Sequence, residues 1–361
     1  MTQHLPPIQS GKSVWYGPEM ELRKKEWIIQ LDSTEIQELE AAAEQFQQSG
    51  QSIGAMDKGQ FPLPIFGEKL AVLKKELIQG IGFSIIRGLP TETYSEKKAA
   101  TIFYGIGTHI GNARSQNAKG HVLGQVRNMG LDSTDPKVRL YQTNERQTFH
   151  TDSCDVVGLL CVQPAKDGGL SLLVSANTIF NEMRKRRPDL LELLLQPIAT
   201  DRRGEVPEGM LPFLLIPVFS YYQQKITPFY QRQYIDSAQR FADAPRLTAQ
   251  HVEALDLFDT LCNDPELHLT MMLEKGDMQF VYNHAMLHDR TGFVDYKEIY
   301  KRRHLSRLWL SVEGDRALPA IFATRYGSVE IGNRGGIMIE GTELTIPWMK
   351  DLLANITANE K

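Results

Sequence analysis

Two short stretches that lie far apart in the chain contain residue types that bind metal ions. His150 and Asp152 are two residues apart, and on an extended strand residues at that spacing project from the same face. A second imidazole would complete the two-histidine, one-carboxylate facial triad of non-haem Fe(II) oxygenases, which leaves coordination positions open. His288 is our candidate for that ligand, and His284 is the alternative. A His-x-Asp pair alone is a weak signal for a metal site, so the interpretation depends on which other residues accompany it in the sequence.

The first accompanying feature is a predicted strand that contains two arginines. On a strand, Arg303, Leu305 and Arg307 share one face. Two guanidinium groups pointing into a barrel are costly unless anions meet them. Internal carboxylates such as Asp295 or Glu298 are one option, and an anionic ligand is the other. An organic diacid that chelates iron at one end needs a partner of this kind at its other end, and arginine provides a bidentate one.

The elements that would position these residues follow a simple order. Helices come first, strands carry the candidate site, a helical stretch intervenes, and strands return. This order predicts an α+β fold built on an antiparallel barrel or jelly roll. We expect an N-terminal arm with helices packed on the core (1–80), a core domain (81–315) with a helical insertion at about 178–265, and a C-terminal extension (316–361).

Composition narrows the class of protein. Hydrophobic residues make up 42% of the 361 positions and charged residues 23%, which is typical of a globular protein. The net charge of -4 gives no positive field that would attract nucleic acid or an anionic membrane. Three cysteines without CxxC spacing support neither a disulfide framework nor a zinc knuckle. No signal peptide or membrane-spanning run is evident, so we expect a cytoplasmic protein; a homo-oligomer is one option for its assembly.

Four motifs in succession resemble those of the taurine dioxygenase (TauD/TfdA) family. They are FHTD at 149–152, GGLS at 168–171, GDMQFVYN at 276–283 with HDRT at 288–291, and RHLSR at 303–307. The resemblance covers roughly residues 80 to 315, and four motifs in order are far more specific than one. It implies a double-stranded β-helix (jelly-roll) core with flanking helices, and an enzyme that uses Fe(II), 2-oxoglutarate and O2.

The same resemblance implies roles for individual residues. His150, Asp152 and His288 match the iron ligands. Arg303 matches the residue that pairs with the distal carboxylate of 2-oxoglutarate, and Ser171 stands where the family usually has a threonine hydroxyl that assists it.

The substrate is less defined. Arg307 matches the position that holds the anionic group of taurine, and Gln116 and Asn117 are our candidates for a polar pocket lining. We expect hydroxylation of an unactivated C–H bond in a small anionic or zwitterionic metabolite, because Asp152 fills the position that iron halogenases leave open. Desaturation or cyclisation at the same iron is one alternative. A zinc hydrolase or a non-catalytic metal-binding jelly roll is the alternative from another class.

Overall fold

The computed structural model describes residues 5–131, 138–206 and 209–348. Its helices are α1 (Gly17–Leu22), α2 (Lys24–Trp27), α3 (Ser33–Gln48), α4 (Phe66–Gln79), α5 (Glu96–Ile110), α6 (Ala176–Arg186), α7 (Pro188–Leu194), α8 (Arg232–Ala238), α9 (Ala249–Cys262) and α10 (Ala323–Tyr326). Helix α3 begins where a carboxylate can cap it, since the Asp32 side chain accepts the backbone N–H groups of Thr34 and Glu35. Within these ranges every helix falls short of the length and apolarity needed to cross a membrane.

The strands lie before helix α6, between α7 and α8, and after α9 in the chain. They are β1 (Ile28–Gln30), β2 (Phe83–Arg87), β3 (Asn112–Arg114), β4 (Leu123–Val126), β5 (Gln147–His150), β6 (Val156–Gln163), β7 (Asp167–Gly168), β8 (Ser171–Ser175), β9 (Pro197–Asp201), β10 (Phe213–Pro217), β11 (Phe219–Tyr222), β12 (Lys225–Pro228), β13 (His268–Met271), β14 (Met278–Tyr282), β15 (Met286–Arg290), β16 (Phe293–Val294) and β17 (His304–Ser311).

Two sheets carry the motif residues. The larger, seven-stranded sheet has the order β1-β2-β14-β6-β17-β3, and β4 also pairs with β17. The smaller, four-stranded sheet has the order β13-β8-β15-β5 and is antiparallel throughout. Strands from distant parts of the chain are therefore neighbours, which brings the motifs on β5, β8, β14, β15 and β17 into two adjacent layers. The fold is of the mixed α+β class, as predicted.

Two apolar clusters hold these layers. The first packs α3, α4 and α5 against the larger sheet through residues such as Leu39, Phe66 and Phe280. The second covers the smaller sheet with α6, α7 and α9, and includes Phe180 and Phe258. Because β5, β8 and β15 are packed on one side by the second cluster, their opposite faces are left to carry the polar site.

The segment 178–265 is not purely helical, which corrects the prediction of a helical insertion. It contains two antiparallel hairpins, β9–β10 and β11–β12, between the helices. The turn of the second hairpin is Gln223-Gln224, and both residues have positive φ, 47° and 63°. Such two-residue turns usually carry Asn-Gly or a similar pair, so Gln-Gln gave no hairpin signal. Residues 213–228 are nevertheless rich in aromatic and β-branched side chains, which favour strands.

Candidate active site

The two histidines of the predicted triad face each other across neighbouring strands. His288 on β15 is the register partner of His150 at the end of β5. Directly opposed residues of an antiparallel pair project their side chains from the same face. Their ring centroids are accordingly 4.1 Å apart, and the ligand atoms of His150, Asp152 and His288 all lie within 4.8 Å of one another. The structure thus brings the three predicted ligands together.

Asp152 belongs to this cluster, but it does not lie on the strand on which it was predicted. Strand β5 ends at His150, so Asp152 lies in the following loop and does not share a strand face with it. Two hydrogen bonds hold the loop: the backbone N–H of Thr151 donates to the carbonyl of Tyr230 (2.9 Å), and that of Asp152 donates to Oδ1 of Asn283 (3.0 Å). Asn283, the last residue of the motif at 276–283, therefore orients the carboxylate-bearing loop.

Burial keeps the two imidazoles neutral, as metal ligands must be. It lowers the pKa of His150, and it lowers the pKa of His288 to about 3, with the neighbouring His150 adding to the effect. The Nδ1 atom of His150 lies 2.8 Å from the Thr148 carbonyl, and its Nε2 lies 2.9 Å from the side-chain nitrogen of Gln147, so Nε2 can bind a metal ion once the Gln147 amide gives up this contact. Burial alone would raise the pKa of Asp152, but Arg307, the two neighbouring imidazoles and the hydrogen bond from Trp309 together outweigh it, and the net shift is downward.

Two observations show whether this cluster fits a metal ion: the types of its donor atoms, and a buried polar atom that lacks a hydrogen-bond partner. Two imidazole nitrogens and one carboxylate are the donor set of a non-haem iron site. Nδ1 of His288 is buried and has no hydrogen-bond partner among residues 5–131, 138–206 and 209–348. The three side chains are almost fully buried, but they line a cavity, so an ion that enters this cavity can reach all three. The residues fit Fe(II).

The alternative ligand His284 lies in another buried cluster. Its Nε2 is 2.7 Å from Oδ1 of Asp155, and Asp315 is the third member. Arg334 donates to both carboxylates, at 2.7 Å and 2.8 Å, so the two aspartates share one guanidinium within the protein. His284 is thus engaged in a salt-bridged core cluster away from His150, and the geometry favours His288 over it.

Arg303 is buried with an unpaired guanidinium. Only 5% of the residue is exposed, and its Nη1 has no hydrogen-bond partner in the described part of the chain. Asp295, the proposed internal partner, accepts the backbone N–H of Arg303 (2.7 Å) and not its side chain, while Glu298 pairs with Lys301. Burial lowers the pKa of Arg303 to about 10. A buried cation of this kind needs an anion, but Asp295 acts on the guanidinium only through its charge, without a hydrogen bond, and Glu298 is engaged elsewhere.

The unpaired guanidinium faces the same cavity as the three metal-binding candidates. Ser171, Arg303, Leu305 and Arg307 line this inner cavity, which agrees with the predicted alternation along β17. Gly169 allows the approach of Arg303: it has φ +69°, and a Cβ there would lie 3.0 Å from the Arg303 Nε. The cavity therefore has a metal-binding wall and a cationic wall, as a chelating diacid requires.

Sequence reasoning missed Arg290, which also lines the inner cavity. Its guanidinium packs on one side of the Phe293 ring (4.7 Å) and that of Arg303 packs on Phe293 as well (5.1 Å). Burial, and then the charge of Arg303, lower the pKa of Arg290 to about 9. The available signal was its place in the HDRT motif at 288–291. It adds positive charge next to Arg303, although its donors mainly bind backbone carbonyls such as that of Glu145.

A second cavity, which we call the outer cavity, opens on the other side of Asp152. Arg307 and Gln116 line it, and the Arg307 Nε donates to the Gln116 Oε1 (2.8 Å). Asn117 is not brought to either cavity, because its side chain bonds within a turn to Lys119 and His121. Four further charged residues of the outer cavity were not foreseen from the sequence: Arg139, Asp201, Glu205 and Arg325.

Comparison with known proteins identifies the class. The family model described as "Taurine catabolism dioxygenase TauD, TfdA family" matches residues 44–309. The chain therefore belongs to the TauD/TfdA family of dioxygenases. It is an oxidoreductase that depends on Fe(II), 2-oxoglutarate and O2, and this membership decides against the zinc hydrolase and the non-catalytic alternatives.

Two curated relatives extend over most of the chain. FR-33289 synthase of Streptomyces rubellomurinus is 32% identical over 332 residues, which cover 91% of this chain and 97% of the relative. Taurine hydroxylase-like protein SAT17 of Stachybotrys chartarum is 30% identical over 310 residues, covering 83% of this chain and 78% of the relative. The similarity therefore includes regions outside the four motifs.

Solved structures show the same fold at low identity. Asparagine oxygenase, in complex with Fe(II), 3-hydroxyasparagine and succinate, has a TM-score of 0.61 and 16% identity, covering 79% of this chain and 93% of that chain. The non-haem iron oxygenase OrfP, with Fe and α-ketoglutaric acid, has a TM-score of 0.59 and 13% identity, covering 78% and 93%. At such identities the likeness concerns the fold, and the substrate must be argued from this chain's own residues.

Proposed function

We propose that this enzyme hydroxylates an unactivated C–H bond of a small anionic or zwitterionic metabolite. The observation that carries the proposal is the inner cavity, where the unpaired, buried guanidinium of Arg303 faces His150, Asp152 and His288. A cavity with metal-binding residues on one wall and an unpaired guanidinium on the other suits a diacid cosubstrate and has no evident use in a hydrolase.

We assign roles to the lining residues on the same basis. His150, Asp152 and His288 would hold Fe(II). Arg303 would bind the distal carboxylate of 2-oxoglutarate, with the hydroxyl of Ser171 as a second donor. The Ser171 hydroxyl now donates to Oε1 of Gln279 (3.1 Å), so it would rotate to serve the cosubstrate.

The bound iron and 2-oxoglutarate would supply an oxidant strong enough for a C–H bond, with release of succinate and CO2. The protein's own contribution is positioning. Asn283 and Trp309 hold Asp152, whose Oδ2 accepts the Trp309 Nε1–H (3.0 Å). Arg307 lies 3.4 Å from both carboxylate oxygens, so it stabilises the ionised form that a metal ligand requires. Because Asp152 occupies the carboxylate position, hydroxylation is favoured over halogenation.

The outer cavity is our candidate for the substrate site. It shares Asp152 and Arg307 with the inner cavity, so a molecule bound there would lie beside the iron. Arg307 and Gln116 are proposed substrate contacts. Two relatives named uridine-5'-phosphate dioxygenase, and solved neighbours with bound hydroxyasparagine or hydroxyarginine, support a small polar substrate.

The finer description of the architecture is also a proposal. We infer that the two sheets form a double-stranded β-helix, with residues 1–80 packed on it and 316–361 as an extension. The mixed order of strands in both sheets supports this inference. A cytoplasmic location remains our expectation.

An anaerobic titration of the apoprotein with Fe(II) and 2-oxoglutarate tests the function. We expect the weak visible absorption band of the Fe(II)–2-oxoglutarate chelate in the wild type and its loss in His288→Ala. His284→Gln is the matched control, because His284 lies in the separate cluster with Asp155, and this variant should keep the band. Absence of the band in the wild type would refute the proposal, and loss in a folded His284→Gln would refute the choice of ligand.

A further inference from the structure

The segment after β17 packs against the loop that carries Asp152. The Tyr326 hydroxyl donates to the carbonyl of Asp152 (3.4 Å), and the Arg325 Nε donates to the Ser153 Oγ (2.8 Å). The backbone N–H of Gly336 donates to the carbonyl of Ser153 (2.8 Å). These residues follow the range matched by the family model, 44–309, so the family pattern says nothing about them. The C-terminal segment nevertheless touches the active-site loop directly.

A buried ionic cluster fixes this segment in place. Arg334 is fully buried and joins Asp155, three residues after Asp152, to Asp315. A paired charge at that depth is strongly unfavourable to separate, because either partner alone would be left unsolvated. The position of the segment relative to the loop is therefore well defined, and so is the side chain of Arg325 that it carries.

Arg325 meets two other charged side chains in the outer cavity. One carboxylate, Glu205, lies between two guanidinium groups: its Oε1 is 2.7 Å from the Arg139 Nη2, and its Oε2 is 3.3 Å from both Nη atoms of Arg325. The side chains of Arg139 and Arg325 are only 16% and 12% exposed. A single carboxylate is thus shared by two partly desolvated guanidinium groups, because Asp201, which also lines this cavity, pairs with Arg240 instead.

We propose that Arg139 and Arg325 form a subsite for an anionic oxygen group of the substrate, and that Glu205 occupies this subsite when no substrate is bound. The inference rests on the proposed function, since it takes the outer cavity as the substrate site. Two guanidinium forks facing one point match a carboxylate, sulfonate or phosphonate, each of which offers several acceptor oxygens. Glu205 also lines a neighbouring surface groove, so its side chain has space to turn away from the arginines.

Arg307 is less suited to be the main anion site. Its guanidinium is packed between the rings of Tyr141 and Trp309, at 4.8 Å from each, and it donates to Gln116 and lies against Asp152. Those contacts hold it as a support for the metal-binding loop. The pair of Arg139 and Arg325 has only one carboxylate between its members, and it lies where an incoming group can replace that carboxylate.

The test is calorimetric titration of the full-length protein, loaded anaerobically with Fe(II) and 2-oxoglutarate so that Arg303 is occupied. Methylphosphonate, methanesulfonate and acetate are the three probes, and the strongest binder identifies the type of anion. We expect Arg325→Gln and Arg139→Gln each to weaken that probe at least about tenfold, because each removes charge-assisted hydrogen bonds. Glu205→Gln should bind it more tightly than the wild type, since the competing carboxylate is gone.

Arg187→Gln is the control, because Arg187 is an exposed arginine with its own carboxylate partners, Asp189 and Glu253. The affinity of the Arg187→Gln variant for the probe should equal that of the wild type. Binding that is equal in all variants, weaker binding by Glu205→Gln, or no binding of any probe to the wild type would each overturn the proposal. The chelate band is recorded on every sample: its absence in the wild type would refute the proposed function, whereas its presence with unaltered probe affinities would refute the subsite alone.

Discussion

Replacing Arg303 by glutamine should make the apoprotein more stable and the cosubstrate bind less tightly. Burial lowers the pKa of Arg303 to about 10. Since its folded-state pKa lies below the unfolded-state value, the charged side chain reduces the free energy of unfolding at every pH below about 10, and this penalty fades as the pH rises further. The shift from the ordinary value corresponds to about 3 kcal/mol at neutral pH. Arg303→Gln removes that penalty.

The same substitution removes the proposed partner of the distal carboxylate. Hydrogen bonds between charged groups contribute about 1.5–3 kcal/mol each, so the affinity for 2-oxoglutarate should fall by roughly 100-fold. Urea unfolding of the apoprotein gives the first quantity, and anaerobic titration of the Fe(II) form with 2-oxoglutarate, followed by the chelate band, gives the second. The two effects have opposite signs, which an ordinary structural arginine would not produce.

Arg334→Gln provides the contrast. Arg334 is as deeply buried as Arg303 but is paired with Asp155 and Asp315. Removing Arg334 leaves two buried carboxylates without their guanidinium partner, and we expect the free energy of unfolding to fall by about 3–5 kcal/mol. If Arg303→Gln were destabilised to the same extent, or if its affinity for 2-oxoglutarate equalled that of the wild type, the argument for Arg303 would be wrong.

Three further substitutions probe the same site. Asp152→Ala should abolish Fe(II)-dependent succinate release while circular dichroism shows an intact fold; retained turnover would contradict its role as a ligand. Gly169→Ala should raise the 2-oxoglutarate concentration needed for half-maximal turnover, because its Cβ would press on Arg303, whereas Gly50→Ala, with a similar φ of +70° and open space around it, should not. Asn283→Ala should weaken Fe(II) binding about 10–100-fold, measured by metal titration, since it frees the loop of Asp152; an unchanged affinity would refute this.

The sequence determined the chemistry of the inner cavity. His150, Asp152, His288 and Arg303 are recognisable because each lies in a short motif whose residue types suit the ligands that we propose for them. The alternation along β17 could be predicted too, since side-chain direction on a strand depends only on local geometry. The class of enzyme followed from four such local patterns in order, and the match to the family model confirmed it.

The tertiary structure decided what depends on contacts between distant segments. It moved Asp152 off the strand, because Asn283 and Tyr230 bind the loop that carries it. It favoured His288 over His284 through the register of β15 with β5, which no spacing along the chain encodes.

The outer cavity is the clearest example of a feature that the sequence could not predict. Arg139, Glu205 and Arg325 come from three separate segments and have no motif in common. Packing of the C-terminal segment against the loop of Asp152 adds Arg325 to the pair formed by Arg139 and Glu205. Local chemistry can be recognised from a few neighbouring residues, whereas a cavity wall built from remote segments exists only once the chain has folded.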